Sequence, residues 1–147
     1  MEEINLIRPS DIGGNYGWPF REGTQTVTGS APAGVINPVL QYRFGTGPMQ
    51  GQAVVAGLVY TGPFTPLNGQ YLFADEVTGS IWSVPYSSIQ QGTTIEAGFT
   101  ARNADLVPLA GAIDRPIAFG FYPAASYGGP ILYILDADGE LFRMRQR

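Results

Sequence analysis

Short runs in which apolar and polar residues alternate recur along the chain, and glycine- and proline-rich segments separate them. In residues 68–84, aromatic residues alternate with smaller ones, a turn segment lies between Asp75 and Gly79, and a second β-rich run surrounds Trp82. Alternation on both sides of a turn is typical of a β-hairpin. The hydrophobic pattern therefore predicts two antiparallel strands here, and the rest of the chain is organised around them.

The same pattern returns about sixty positions later, over residues 128–145. In this alignment Phe73 matches Tyr133, and Trp82 matches Phe142. We predict a packing role for Trp82. Residues 54–60 of the apolar run 53–60 likewise line up with residues 116–122. Because that run is short, rich in β-branched residues and nearly free of polar positions, it predicts a strand buried on both faces.

Each repeat contains an outer strand, an apolar strand and a hairpin. Four-stranded antiparallel sheets repeated at this period are typical of β-propeller blades. A chain of 147 residues has the usual length of one domain. We therefore predict a single all-β domain with an extra N-terminal strand that ends a preceding blade (1–9), a Gly/aromatic loop (10–34) and two full four-stranded antiparallel blades (35–92 and 93–147).

The outer strand of the second blade is predicted at residues 106–109, although Pro108 interrupts it. Two blades by themselves would leave an apolar face at each end, because neighbouring blades normally cover both faces. Two solutions remain open. Copies of the chain could form a homo-oligomer, with a trimer closing a six-bladed ring, or the chain could be a fragment of a larger propeller.

Composition narrows the function classes. The net charge of −4 argues against a nucleic-acid or anionic-membrane surface, and no apolar run approaches the roughly 20 residues that span a bilayer. All basic residues are arginine, and the sequence contains no lysine, histidine or cysteine. Three common catalytic side chains are therefore missing, and we predict no catalytic residue in this chain. Glu2 and Glu3 do not start a typical signal peptide, so the compartment stays open.

Several stretches, in order along almost the whole chain, resemble one known family. They are EIN at 3–5, GGNYGWP at 13–19, GLVYTG at 57–62, LNGQYLFADEVTGSIWSV at 67–84 and DADGELFRM at 136–144. Together they resemble the C-terminal third of the soluble quinoprotein glucose and sorbosone dehydrogenases, which are six-bladed β-propellers. The resemblance implies the same fold and a periplasmic or secreted setting.

The resemblance also implies oxidation of a sugar with pyrroloquinoline quinone (PQQ) and calcium. In that family a histidine takes the substrate proton and cationic residues hold the quinone. The matching positions here are Gln50 to Gln52 and residues 78–83, which are neutral. An anionic cofactor needs cationic partners. We therefore expect no cofactor for the isolated chain, with a second interpretation kept open: the C-terminal part of a quinone-dependent sugar dehydrogenase whose catalytic residues lie outside this chain.

The Gly-rich loop carries three aromatic residues, Tyr16, Trp18 and Phe20. Rings in such a loop can stack on sugars or flat ligands, so these residues, with Gln50 and Gln52, are candidate ligand-binding residues. The alternative is that Trp18 fills the space between two blades. Under the first interpretation the chain is a non-catalytic propeller segment that self-associates and binds a ligand or partner, such as a carbohydrate, through its loops.

Two charged patterns near the C-terminus are candidate ion sites. Asp136 and Asp138 begin an Asp-x-Asp-Gly sequence, which is typical of calcium loops, but a hairpin turn uses the same residue types. Arg143 and Arg145 alternate, so a strand would place them on one face, where they could bind an anion or an acidic neighbour. The alternative for the arginines is a solvated face at a frayed end.

Overall fold

The computed structural model describes residues 1–123, 126 and 128–144, and this part of the chain is all-β, with three short 3₁₀ helices and no α-helix. It contains no helix long and apolar enough to cross a membrane. The prediction of an all-β chain is confirmed.

In the described part of the chain, twelve strands form three stacked sheets and one small hairpin. The N-terminal sheet contains β1 (Glu2–Ile4), β4 (Leu40–Phe44) and β5 (Gln50–Gly51), and β2 (Arg21–Glu22) pairs with β3 (Gln25–Thr26) in the loop between them. The central sheet contains β6 (Val54–Tyr60), β7 (Gln70–Asp75), β8 (Ile81–Pro85) and β9 (Thr100–Ala101). The C-terminal sheet contains β10 (Pro116–Tyr122), β11 (Ile131–Asp136) and β12 (Leu141–Arg143). The 3₁₀ helices are Pro9–Asp11, Tyr86–Ser88 and Asn103–Leu106.

The predicted hairpin forms the middle of the central sheet. Phe73 lies directly opposite Trp82, and Ala74 lies opposite Ile81, so successive residues of β7 and β8 point to opposite faces. Both faces are covered. The packing role predicted for Trp82 is confirmed, because its ring is buried against Tyr42 and Phe73 and its Nε1 donates a hydrogen bond to the carbonyl of Pro48 at 2.9 Å.

One core lies on each side of the central sheet. Between the central and N-terminal sheets, the buried side chains are Ile4, Leu40, Tyr42, Phe73, Trp82, Val84 and Phe99. Between the central and C-terminal sheets, they are Tyr60, Leu67, Leu72, Ala74, Ile81, Leu106, Leu132 and Ile134. A sheet with two apolar faces needs a packed layer on each side. The central sheet therefore contributes side chains to both cores.

The predicted composition of the four-stranded sheets is wrong in two respects. The strand β4 pairs with β1, not with β6, and its other neighbour β5 runs parallel to it. The fourth strand of the central sheet is β9, which pairs with Trp82 and Ser83. Within the described residues only the central sheet has four strands, and the C-terminal sheet has three.

The outer strand predicted at residues 106–109 does not form. Leu106 ends a 3₁₀ helix and is buried in the core beside the C-terminal sheet, while Val107 and Leu109 are exposed. Pro108 has no amide hydrogen to give to a ladder. The segment therefore contributes a core side chain and not a strand.

The prediction that the run 53–60 is buried on both faces is also wrong. Its strand β6 is mostly half-buried, and Ala56 is exposed. The strand pairs only with β7, so it forms one edge of the central sheet. Edge position leaves part of its surface open even though Tyr60 at its end is buried.

Candidate functional site

The turns that follow β7 and β11 start with equivalent aspartates. Asp75 lies opposite Val54, the first residue of β6, and Asp136 lies opposite Pro116, the first residue of β10. Both side chains are buried. Each turn then reaches a glycine with positive φ, Gly79 or Gly139, where a side chain would be strained.

Asp75 has partners for both of its carboxylate oxygens. Oδ2 accepts hydrogen bonds from the Tyr42 hydroxyl and from the amides of Gln52 and Ala53. Oδ1 accepts from the amides of Val77 and Thr78 and from the Thr78 hydroxyl. Burial raises the pKa of Asp75, but the hydrogen bonds to its charged form outweigh burial and hold the pKa below its usual value.

Asp136 keeps only one half of this arrangement. Its Oδ2 accepts hydrogen bonds from the amides of Asp114 at 3.1 Å and Arg115 at 2.9 Å, as Asp75 Oδ2 does from Gln52 and Ala53. Its Oδ1 is buried and has no hydrogen-bond partner among the described residues. A buried carboxylate oxygen without a donor is costly, so this atom marks an unsatisfied position.

Two more carboxylates lie close to the Asp136 carboxylate. Oxygens of Asp114, Asp136 and Asp138 all fall within 4.8 Å of one another, and Asp114 and Asp138 are exposed. Hard divalent cations prefer such oxygen ligands. The structure thus brings together the two sequence-predicted metal candidates, Asp136 and Asp138, and adds Asp114, which the sequence prediction missed. The repeat contained the signal, because an offset of 62 aligns Asp114 with Gln52 at the start of the equivalent strand.

The two glutamines predicted as ligand-binding residues make hydrogen bonds within the chain. Gln50 Oε1 accepts a hydrogen bond from the amide of Gly47 at 3.0 Å, and Gln50 lines a depression of about 310 Å³ together with Arg43 and Glu96. Gln52 has an exposed side chain, and its backbone amide donates a hydrogen bond to Oδ2 of Asp75. Neither Gln52 nor the aromatic loop residues line this depression.

These positions do not fit a tricarboxylate quinone. Gln50 and Gln52 are neutral, and in the second matching segment, residues 78–83, Thr78 bonds to Asp75 while Ile81 and Trp82 are buried. Neither segment contains a cationic residue of its own; the arginines beside them are Arg43, which lies opposite Gln50, and Arg102, whose Nε donates to Ser83 Oγ. An anionic cofactor needs cationic partners, and the two segments themselves supply none.

The aromatic loop presents one exposed ring. Trp18 is 73% exposed in the single chain, so it does not fill a space between two sheets of this chain. Tyr16 and Phe20 are half-buried, and the Tyr16 hydroxyl donates to the carbonyl of Asp11 at 3.4 Å. The loop is anchored at its start by Arg8, which makes a bidentate ion pair with Asp11.

Arg143 is exposed on β12, directly opposite Tyr133. Its predicted partner in an anion site, Arg145, lies outside the described residues. The pair therefore stays a prediction.

The sheet surface around Arg143 is unusually apolar. We call it the outer face, defined by the side of the C-terminal sheet opposite the buried Leu132 and Ile134. Its apolar members are Tyr122, Ile131, Tyr133, Leu135 and Leu141. On the other side of the same sheet, a groove of about 900 Å³ is lined by Leu106, Ile113, Ile134, Phe142 and Met144, among others.

Comparison with known proteins gives a distant similarity and no family assignment. The chain is 25% identical over 150 residues to the HIPL2 protein of Arabidopsis thaliana, a match that covers 95% of this chain and 20% of that protein. The chain thus spans about a fifth of the length of this curated relative. No family model and no solved structure matches the chain.

Proposed function

We propose that the chain is a non-catalytic segment of a β-propeller that associates with copies of itself and binds a ligand through its N-terminal loop. The repeated strand order supports this proposal. β6, β7 and β8 pair in the same order as β10, β11 and β12, and β1 pairs with β4 as β8 pairs with β9. In this assignment the N-terminal sheet ends one blade, the central sheet is a complete blade and the C-terminal sheet is the first three strands of another.

The observation that carries the association is a difference in burial between equivalent residues. Ile81 and Leu141 hold the same position in β8 and β12, but Ile81 is 0% exposed and Leu141 is 64% exposed. Tyr60 and Tyr122 end β6 and β10, and they are 2% and 62% exposed. The C-terminal sheet covers the first member of each pair. The outer face therefore has the composition of a covered blade face.

The proposed occupant of the outer face is a second copy of this chain. On the central sheet the equivalent face is covered by a sheet of this same repeat, so the repeat already has a surface that packs on it. The N-terminal segment of a second copy also offers two exposed apolar residues, Ile7 and Ile12. Contacts between different ends close a ring, and the proposed ring has three copies.

Light scattering on a sizing column tests the association. The expected mass is three times 15.8 kDa for the unmodified chain. Leu141→Asp places a charge on the outer face without touching either core, so we expect it to raise the dissociation constant at least about tenfold. Val77→Asp is the matched control, because Val77 is exposed in the turn of the central sheet, away from the outer face. A stable monomer, or equal masses for both variants, contradicts self-association.

The ligand-binding part of the proposal rests on Trp18. A tryptophan that is largely exposed in an ordered loop offers a flat apolar ring, and such rings stack on the apolar faces of sugars. Its neighbours Tyr16 and Phe20 are half-buried. The proposed ligand class is therefore carbohydrate.

Fluorescence separates the two tryptophans, because Trp18 is exposed and Trp82 is buried. Titration with glucose and cellobiose up to about 10 mM, a range that reaches weak affinities, should protect Trp18 from acrylamide quenching. The variant Trp18→Ala should lose the response, and Val27→Ala, which changes another exposed residue of the same loop, should keep it. A response that survives in Trp18→Ala, or none in the unmodified chain, overturns carbohydrate binding at this loop.

A second candidate function is that of the C-terminal part of a quinone-dependent sugar dehydrogenase. The favouring observation is that the chain matches only a fifth of the length of its curated relative, so the sheet that covers the outer face would belong to a longer chain. Titration with PQQ and calcium discriminates the candidates. A visible-spectrum shift on addition of PQQ would support the dehydrogenase segment, and glucose-dependent dye reduction by this chain would in addition refute the non-catalytic proposal. An unchanged spectrum together with a trimeric mass supports self-association.

A further inference from the structure

We propose that Asp114, Asp136 and Asp138 form a binding site for one hard divalent cation, calcium, between the start of β10 and the turn that follows β11. This site does not depend on the proposed propeller assembly or on the Trp18 loop. It is carried by the side chains of the cluster and by a comparison within the chain.

The first observation is the unpartnered oxygen of Asp136. The side chain is 1% exposed, its Oδ2 is held by two backbone amides, and Oδ1 has no donor. The two amides fix the orientation of the carboxylate, so Oδ1 cannot rotate towards solvent without breaking them. Oxygens of Asp114 and Asp138 lie within 4.8 Å of Asp136 and of each other. A cation placed among the three would give the buried oxygen a partner.

The second observation is the difference between the two equivalent turns. From Asp75 the chain reaches Gly79 in four residues, but from Asp136 it reaches Gly139 in three. The longer turn presents the amides of Val77 and Thr78 to Oδ1 of Asp75. The shorter turn supplies no such donor, since the Gly139 amide bonds to the carbonyl of Asp136. In the first turn, backbone amides donate to Oδ1 of the aspartate. In the second turn, the equivalent position is open to an external ligand.

The charge balance points the same way. Among the described residues no ion pair includes Asp114, Asp136 or Asp138. Arg115 is next to Asp114 in sequence, but its Nη2 donates to Glu76 of the other turn. Three carboxylates at this separation repel one another when all are charged, and a divalent cation relieves that repulsion.

Ligand chemistry and geometry favour calcium over magnesium. Calcium accepts six to eight oxygen ligands in flexible geometry, whereas magnesium demands a near-ideal octahedron. Here one carboxylate is fixed and the other two are exposed, which leaves room for water ligands and for adjustment. Sites with few protein ligands and high exposure bind weakly, so we expect a dissociation constant on the order of 10⁻⁴–10⁻³ M.

Calorimetric titration of the whole chain with CaCl₂, and separately with MgCl₂, tests the site. We expect one calcium per chain, weaker binding of magnesium, and a rise in Tm of about 3–7 °C in 10 mM CaCl₂. Asp138→Asn and Asp114→Asn each remove one charged ligand from an exposed position and leave the buried Asp136 in place. Each should weaken calcium binding at least tenfold, while Asp105→Asn, which neutralises a carboxylate paired with Arg102 elsewhere, should leave it unchanged.

A turn graft gives a second readout. Replacing residues 137–139 with the sequence of residues 76–79 should supply amide donors to Asp136 Oδ1, abolish the calcium-dependent rise in Tm and raise Tm in the absence of calcium. The proposal is overturned if calcium up to 10 mM gives neither heat nor a change in Tm, or if Asp138→Asn binds calcium as well as the unmodified chain. Tighter binding of magnesium than calcium overturns the assignment of the ion.

Discussion

Two equivalent aspartates, Asp75 and Asp136, show how much a buried carboxylate depends on what its turn supplies. Asp75 accepts hydrogen bonds at both oxygens, from donors on three separate segments of the chain. Asp136 has donors at one oxygen only. The sequence shows both aspartates and both glycines, but it does not show which oxygen each amide reaches.

Replacing Asp75 by asparagine should be strongly destabilising. The side-chain NH2 group of the asparagine would face backbone N–H donors in a fully buried position. At least one hydrogen bond would be lost, and two donor groups would point at each other. We expect the free energy of unfolding to fall by about 3 kcal/mol, measured by urea denaturation. Asp105→Asn, a change of the same type at the surface, should cost less than about 1 kcal/mol. Equal costs would show that the buried hydrogen bonds do not stabilise the fold.

Stability should also fall in acid through Asp11. Hydrogen bonds from the Arg8 side chain hold the pKa of Asp11 at about 2, against an ordinary value of 3.8. A carboxylate with a lowered folded-state pKa stabilises the protein above its unfolded pKa, and that stabilisation is lost as the pH falls through the folded pKa. We expect this contribution to disappear between pH 4 and about 2.

Urea midpoints measured from pH 5 to pH 2 check this effect. Arg8→Gln removes the charged partner, so the pH dependence of its unfolding free energy should be flatter in that window. The pKa of Asp75 is also lowered, but Asp75 contributes equally in both proteins, and the difference between the curves isolates Asp11. Parallel curves for the two proteins would contradict the assignment.

Among the elements, the two hairpins share the same strand pairing, but the predicted residue match is shifted in the first strand of each. Trp82 and Phe142 occupy equivalent positions, since they lie opposite Phe73 and Ile134. Phe73 therefore corresponds to Ile134, and the match of Phe73 to Tyr133 is wrong by one residue. The shorter turn after Asp136 causes the shift, because one residue fewer moves the whole preceding strand in the alignment.

Gly57 in β6 and Gly120 in β10 differ in the space available for a side chain. In β6, a Cβ on Gly57 would lie 2.1 Å from the carbonyl oxygen of Leu72, whereas in β10 a Cβ on Gly120 would have nothing within 4 Å. We expect Gly57→Ala to lower the free energy of unfolding by about 1–3 kcal/mol, since overpacking costs that much. Gly120→Ala should be neutral or slightly stabilising, because it removes freedom from the unfolded chain without a clash. Chemical denaturation of both variants decides, and similar losses in both would contradict the close approach at Gly57.

At the scale of the whole molecule, protection should follow the number of covered faces. The central sheet is packed on both sides, while the outer face of the C-terminal sheet is exposed in the single chain. Hydrogen exchange followed by mass spectrometry should therefore be slowest in β7 and β8 and fastest in β2 and β3, which carry little burial.

Protein concentration adds a control to this experiment. If copies associate through the outer face, protection of β11 and β12 should rise with concentration, and Leu141→Asp should remove that rise. Exchange in β11 and β12 that is as slow as in β7 and β8 at low concentration would contradict the difference between the faces.

The all-β class, the hairpin at residues 68–84 and the burial of Trp82 follow from the sequence alone, because alternation of apolar residues and turn glycines act over a few residues. The sequence also singled out Asp136 and Asp138. The tertiary structure alone decided that β4 pairs with β1, that β9 completes the central sheet, that Trp18 is exposed and that Asp114 joins the acidic cluster. These features depend on which distant segments pack side by side, and local patterns carry no information about that choice when several strands have the same alternation.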